Sequence, residues 1–278
     1  MKTFFSALLY SVFCFFFAAA AWATPLSYAT YRFGNTLTAL EGGVPALTAV
    51  DPEAANTFTT ATVFGNSRTV YQWSAANLSP ADEAGLSFPA GGLADLTSYS
   101  VQMIFSFSQR DTLYRRILDV QNRQSDGGFY VAGASHPNNL ELAGSGAPIA
   151  DGSHTFSLNT FYDVVLVNSG GTVSVYFNGA LDFSVVSTEM NANNVNNPGK
   201  LINLFLDNNV GSGQEEYSNG QIALFRVWNG ALSGTDVTAL DANPFGAAVP
   251  EPSAWLMAAF GLGLLLVFKV RREARMRD

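Results

Sequence analysis

The chain has 278 residues, 48% of them hydrophobic and 13% charged, with a formal net charge of −8 and a single cysteine. That acidity argues against a nucleic-acid partner, and the length is enough for one domain with a large core. A lone cysteine leaves no internal disulfide to staple the fold, so stability must come from that core.

The first segment reads as a targeting sequence. Lys2 precedes an apolar block over residues 4–17 and a run of small residues over 18–23, in which Ala21-Trp22-Ala23 gives the small-x-small pattern of a cleavage site. Residues 1–23 are therefore expected as a signal peptide, cut by signal peptidase before Thr24; an uncleaved signal anchor is the alternative. Cleavage removes Cys14 and leaves the exported part without a thiol.

From residue 24 to about 240 the pattern is that of an all-β, antiparallel sandwich. Short β-prone stretches at 28–37 and 57–70 are separated by Gly42-Gly43 and Asp51-Pro52, and Tyr31, Phe33, Phe58, Phe64, Tyr71 and Trp73 are too many aromatics for a flexible linker. Over residues 98–108, Tyr99, Val101, Met103, Phe105 and Phe107 alternate with Ser and Gln, which predicts one buried and one wet face, broken only at Ile104. Strands are expected at 116–121, 127–132, 140–142 and 154–158, with Gly, Asn, Pro and Asp at the breaks.

Residues 162–168, 172–177 and 180–185 form the best hairpins, joined by Ser169-Gly170-Gly171 and by Asn178-Gly179. Asn-Gly suits a type I′ turn because both central residues need positive φ. In that register Tyr176 opposes Leu181 and Ser174 opposes Phe183. An Asn-rich loop at 191–198, a strand at 201–207, an acidic loop at 208–219, a last strand at 220–228, a helical turn or two at 235–240 and a spacer at 241–249 complete the stretch.

The tail begins with Pro250, Glu251 and Pro252, continues as a 15-residue apolar run over 254–268, and ends in Lys269, Arg271, Arg272, Arg275 and Arg277. Such a run is expected as a transmembrane helix, marginal for a hydrocarbon core of roughly 30 Å, with the cations on its cytoplasmic side. A buried core helix is the alternative. The order resembles the PEP-CTERM sorting signal of Gram-negative bacteria, spanning 250–278. That resemblance implies recognition by an exosortase, a transient inner-membrane intermediate, and delivery to the cell surface or extracellular matrix.

Three local matches within residues 28–240 resemble the laminin-G-like, concanavalin-type jelly-roll family. They are Phe161-Tyr162-Asp163-Val164-Val165-Leu166 with Val173-Ser174-Val175-Tyr176-Phe177-Asn178-Gly179, the stretch from Gly220 to Ser233, and the stretch from Arg123 to Val131. The family often carries an acidic residue where this chain has Ala223. The resemblance implies a jelly-roll sandwich and a binding role toward carbohydrate or matrix.

Catalysis finds little support in the residues. The Glu-x-Asp-x-x-Glu spacing of a glycosidase on this fold is absent, and Glu215 and Glu216 are neighbours that point to opposite sides of an extended segment. His136 and His154 come with no nucleophile elbow. Calcium is the one metal whose oxygen chemistry suits the acids near strand ends, Asp119, Asp126, Asp207, Glu215 and Glu216. Their spacing fits no calcium motif, and solvated loop acids are the alternative. The expectation is an exported, non-catalytic module that binds extracellular polysaccharide or another matrix component. A structural or adhesive matrix protein without a small ligand is the competing reading, and a polysaccharide hydrolase the third.

Overall fold

A computed structural model describes residues 27–75, 83–108, 114–133, 138–210 and 216–246. Pro25–Gly246 forms one compact unit. The signal peptide, the Pro-Glu-Pro motif, the apolar run, the tail cations, Glu215 and His136 all lie outside the described residues. Among the described residues no helix is long and apolar enough to cross a membrane.

The strands in chain order are β1 (Ser27–Tyr31), β2 (Thr48–Val50), β3 (Thr57–Val63), β4 (Asn66–Trp73), β5 (Gly85–Pro89), β6 (Ser98–Phe107), β7 (Arg115–Asp119) and β8 (Gly128–Val131). They continue with β9 (Asn139–Gly144), β10 (Ala147–Thr155), β11 (Tyr162–Ser169), β12 (Thr172–Phe177), β13 (Ala180–Val186), β14 (Leu201–Leu204) and β15 (Gly220–Trp228), and one helix follows, α1 (Gly234–Ala242). An eight-stranded sheet runs β13-β12-β11-β6-β15-β4-β3, with β1 also on β15; a seven-stranded sheet runs β10-β9-β8-β7-β14-β5-β2. Every pairing is antiparallel. The two inner faces enclose an aromatic-rich core, in which Trp73 stacks on Phe205 at 3.7 Å with their rings 5° apart. This is the expected all-β sandwich.

The structure corrects the expectation of a wet face on β6. Ser100, Gln102 and Ser106 are buried along with the apolar set, so both faces are covered. The cover comes from the C-terminal stretch of the domain: Trp228, Leu232, Val237 and Leu240 pack with Val165 and Val167 on the outer face of the eight-stranded sheet. Beneath it, Ser100 and Gln102 find hydrogen-bond partners, as burial requires. Ser100 Oγ donates to the Gly230 carbonyl at 3.0 Å and accepts from the Leu232 N–H at 2.9 Å, and Gln102 Nε2 donates to Asp163 Oδ2 at 2.7 Å. A reciprocal capping box between Ser233 and Asp236 starts α1, leaving its apolar residues to face the sheet. Within the stretch expected as spacer, the Arg68 guanidinium lies 3.6 Å over the Phe245 ring, and Arg32 and Arg226 donate to the carbonyls of Phe245 and Gly246.

Three strand expectations change for local reasons. The stretch 57–70 is a hairpin, β3 and β4, turning at Phe64 and Gly65, both at positive φ. The strand from Leu201 stops at Leu204, because Phe205 adopts φ 63°. The strand expected at 154–158 instead runs Ala147–Thr155, with His154 near its end.

The Asn178-Gly179 turn forms as expected, with φ 46° and 78°, and Tyr176 opposes Leu181. Beyond that pair the register differs: Ser174 opposes Ser184 and Phe183 opposes Val175, because a bulge absorbs Asp182. The bulge aims the Asp182 carboxylate at β10, where Oδ1 accepts from the Ser153 N–H at 2.8 Å and meets His154 Nδ1 at 2.7 Å. Gly152 makes the approach feasible, since a Cβ there would stand 1.9 Å from Asp182 Oδ2.

Candidate functional site

Four strands of the seven-stranded sheet align a row of polar side chains. In register, Arg116 on β7 opposes Tyr130 on β8, Tyr130 opposes Glu141 on β9, and Glu141 opposes Asp151 on β10. Their neighbours Phe129, Val131, Leu140 and Leu142 point into the core, so alternation turns the row to the outer face of the sheet. A cavity of about 280 Å³ opens there, lined chiefly by Tyr114, Asp126, Tyr130, Glu141, Pro148 and Glu216. Tyr114 meets Tyr130 edge to face at 5.8 Å. Gly146, at φ 86°, makes the tight β9–β10 turn on the cavity rim.

Arg116 holds this arrangement from beneath. It is fully buried; Nε donates to the Tyr130 hydroxyl at 2.7 Å, Nη2 to the Ser125 carbonyl at 3.1 Å, and Glu216 lies 3.6 Å from Nε. The Tyr130 hydroxyl in turn donates to the Asp126 carbonyl at 2.6 Å. One guanidinium thus fixes a tyrosine, a loop and a carboxylate together.

The acids singled out from the sequence fall around this hub. Asp119 is buried, with Oδ1 accepting from the Gln121 N–H at 3.0 Å and Oδ2 from the Arg123 N–H at 2.8 Å and from Asn203 Nδ2 at 2.9 Å. Asn208 Nδ2 reaches Asp126 Oδ1 at 3.2 Å and Asp207 Oδ1 at 3.3 Å, and Asp207 Oδ2 accepts from the Glu216 N–H at 3.1 Å. Glu83, unremarked in the sequence, pairs with Arg123 and accepts from the Asp207 N–H. Four of the five candidate metal ligands are therefore brought near one another, with N–H donors and arginines around their oxygens. Among the described residues no group of three or more His, Cys, Asp or Glu is disposed to hold a metal ion.

Burial governs the protonation of these acids. It pushes Glu83 up to about 8, against the pull of Arg123, and Glu216 up to about 9, against the pull of Arg116. Glu141 is fully buried; burial, followed by its hydrogen bond to Asp151 and that neighbour's charge, pushes it up to about 8, against the pull of a hydrogen bond with Tyr114. The cavity consequently offers one aromatic flank and several carboxyl groups, with its nearest arginine already engaged below.

The remaining sequence candidates lie elsewhere. His154 stacks on Phe177 at 4.9 Å and contacts Asp182, with no nucleophile beside it. Ala223 sits at a bulge where β15 shifts register against β6, buried with Val63, Val70 and Ile104. The sequence reading missed Arg116, Tyr130, Glu141 and Tyr114 as site residues. The available signal was Glu141 between Leu140 and Leu142, a carboxylate on the outward face of a strand.

Fold and cavity define a two-sheet jelly-roll sandwich whose outer face carries an aromatic and acidic pocket. A family model described as the concanavalin A-like lectin/glucanases superfamily, of laminin-G type, matches residues 80–238, and the chain belongs to that family. A second model, the PEP-CTERM protein-sorting motif, matches residues 248–273. That motif implies processing by an exosortase and marks an exported protein. No curated protein sequence matches the chain.

Among solved structures, the chain is similar to domain 4 of a GH43 extracellular arabinanase from Geobacillus stearothermophilus, in complex with arabinotriose. The two are 20% identical over 78% of this chain and 99% of the other, with a TM-score of 0.53. It is also similar to the binding domain of botulinum neurotoxin DC in complex with SialylT, at 15% identity over 78% of this chain and 50% of the other, TM-score 0.52. A structure of botulinum neurotoxin type C, whose cell entry depends on interaction with two ganglioside molecules, gives 16% identity, the same 78% and 50% coverage and a TM-score of 0.51. The chain spans about half the length of those neurotoxin chains. At such identities the likeness concerns the fold.

Proposed function

We propose that this protein is an exported, non-catalytic carbohydrate-binding module, used at the cell surface or in the extracellular matrix. On this reading residues 1–23 are removed as a signal peptide, residues 24–240 carry the binding fold, 241–249 link it to the tail, and 250–278 are read by an exosortase at the inner membrane. The observation that carries the binding role is the cavity on the seven-stranded sheet, with Tyr114 as an aromatic platform beside hydrogen-bonding carboxyl groups. A flat ring beside polar groups suits a sugar, whose C–H face packs on the ring while its hydroxyls bond at the edge. The two solved relatives described in complex with arabinotriose and with SialylT are consistent with it by analogy of fold.

The non-catalytic reading follows the sequence, in which the paired-carboxylate spacing of a glycosidase on this fold is absent. A glycan array with the full chain and with Tyr114→Ala tests the proposal. Retention of a defined set of glycans by the wild type, weakened about tenfold or more by Tyr114→Ala, supports it; an array without signal contradicts it. The adhesive reading draws on Leu181 and Val186, 55% and 82% exposed on the edge strand β13, and self-association of the purified protein would favour it.

A further inference from the structure

Three guanidiniums meet at one corner of the eight-stranded sheet, where the C-terminal end of the domain crosses it. Arg32, just past β1, donates from Nη2 to the Phe245 carbonyl at 2.7 Å and to the Gly246 carbonyl at 3.2 Å, and Arg226 on β15 donates to the same Gly246 carbonyl at 2.9 Å. Arg68 on β4 lies 3.6 Å over the Phe245 ring. Among the described residues neither Arg32 nor Arg68 has a carboxylate partner. Glu41, whose charge reaches Arg226, is engaged with the Thr30 N–H at 2.6 Å and the Thr30 hydroxyl at 2.8 Å. Burial, and then the charge of Arg32, pushes Arg226 down to about 10, so the positive groups are close enough to repel. Arg32 and Arg68 line an open hollow of about 200 Å³ with Ser67 and Thr69. Beside it the β3–β4 turn holds out Phe64, 45% exposed, its ring 6.5 Å from that of Phe245.

Unneutralised guanidiniums beside an exposed aromatic ring suit a phospholipid surface, because arginine forks match phosphate oxygens and rings settle at head-group depth. The length of chain beyond the domain points to the same occupant. Gly246 is eight residue steps from Ala254, where the apolar run begins, and even fully extended that length reaches only about 28 Å. A surface tethered so close to a bilayer meets it at high effective concentration, and a weak contact then suffices. Resting on the inner-membrane intermediate proposed above, we propose that this corner of the domain docks on anionic phospholipid, with Arg32 and Arg68 on the phosphate oxygens and Phe64 in the interfacial layer. The net charge of −8 opposes any general approach to such lipid, so the attraction is local and fixes which side of the domain faces the membrane. Two cations and one ring do not anchor a protein by themselves, so the contact ends when processing removes the tether.

The test is hydrogen exchange of the full chain reconstituted in vesicles of phosphatidylcholine alone or of an equimolar mixture with phosphatidylglycerol, read by mass spectrometry over residues 63–67. The expected result is exchange at least about fivefold slower in the phosphatidylglycerol vesicles. The Asn178-Gly179 turn, at the opposite edge of the same sheet, should be unchanged. Arg32→Gln/Arg68→Gln, with an unchanged melting curve, should abolish the slowing. Slowing that survives the double variant, or equal exchange in both vesicles while the chain floats with them, overturns the inference and leaves the membrane intermediate intact. A chain that floats with neither vesicle overturns both. Equal slowing of the same residues by an oligogalacturonate in detergent, without lipid, assigns the corner to an acidic glycan and overturns the inference as well. If the double variant fails to fold, Arg32→Gln alone takes its place, since that side chain is exposed, and the wild-type comparison of the two vesicles still decides.

Discussion

Arg116 is the residue on which the outer face of the seven-stranded sheet depends. It is buried without exposure, holds the Tyr130 hydroxyl, and lies 3.6 Å from Glu216 and 3.9 Å from Asp119. Arg116→Met is expected to destabilise the protein by about 3–5 kcal/mol in urea unfolding, because it leaves the buried Asp119 without its cation and the Tyr130 hydroxyl and Ser125 carbonyl without their donor. The pH dependence follows from the same neighbourhood. A glutamate in the unfolded chain titrates near 4.5, while burial holds Glu83 and Glu141 at about 8 and Glu216 at about 9 in the folded protein. Between those values the native state keeps protons that the unfolded chain has lost, so these groups favour folding most at low pH and progressively less as pH climbs toward 9. The urea midpoint should therefore fall from about pH 6 to about pH 9, with a shallower slope in Glu83→Gln/Glu216→Gln. A midpoint that rises over that range would show these carboxyls to be ionised in the folded state. Because N–H donors and arginines engage the acids, melting curves with millimolar calcium and with chelator should coincide; an increase with calcium would place the ion among Asp126, Asp207 and Glu216 after all.

At the scale of elements, the bulge in β13 ties the edge of one sheet to the edge of the other. Asp182 reaches Ser153 and His154 on β10, and Gly152 leaves the room. Gly152→Ala should cost roughly 1–3 kcal/mol through forced displacement of Asp182, read as a lowered urea midpoint. The neighbouring hairpin was legible in the sequence because Asn178-Gly179 specifies its turn locally. The bulge was not, since the partner that stabilises it lies about 30 residues away in the chain. The same reason explains β6: its alternation is plain in the sequence, yet what covers the serine and glutamine face is a stretch more than a hundred residues later. Strand β10 was partly missed because Ala147–Thr155 is largely exposed and carries no apolar alternation. The site was legible only in fragments. Asp119, Asp126, Asp207 and Glu216 stand out as acids near strand ends, whereas the row of Arg116, Tyr130, Glu141 and Asp151 exists only through the register of four strands.

For the whole molecule, family and sorting motif agree on an exported jelly-roll protein whose tail ends in the five cations Lys269, Arg271, Arg272, Arg275 and Arg277. The proposed processing predicts that mass spectrometry of exported protein finds the region after Pro252 missing; an intact Asp278 terminus would contradict it. Export alone, however, would suit many proteins, and the claim that distinguishes this one is that its sandwich holds polysaccharide through the cavity beside Tyr114 and Glu141. The most direct measurement is co-sedimentation of the purified full chain with extracellular polysaccharide isolated from the producing cells, comparing wild type with Tyr114→Ala/Glu141→Gln. The wild type should pellet with the polysaccharide and the double variant should remain in solution with an unchanged melting curve. Equal pelleting of both proteins, or of neither, would contradict the account.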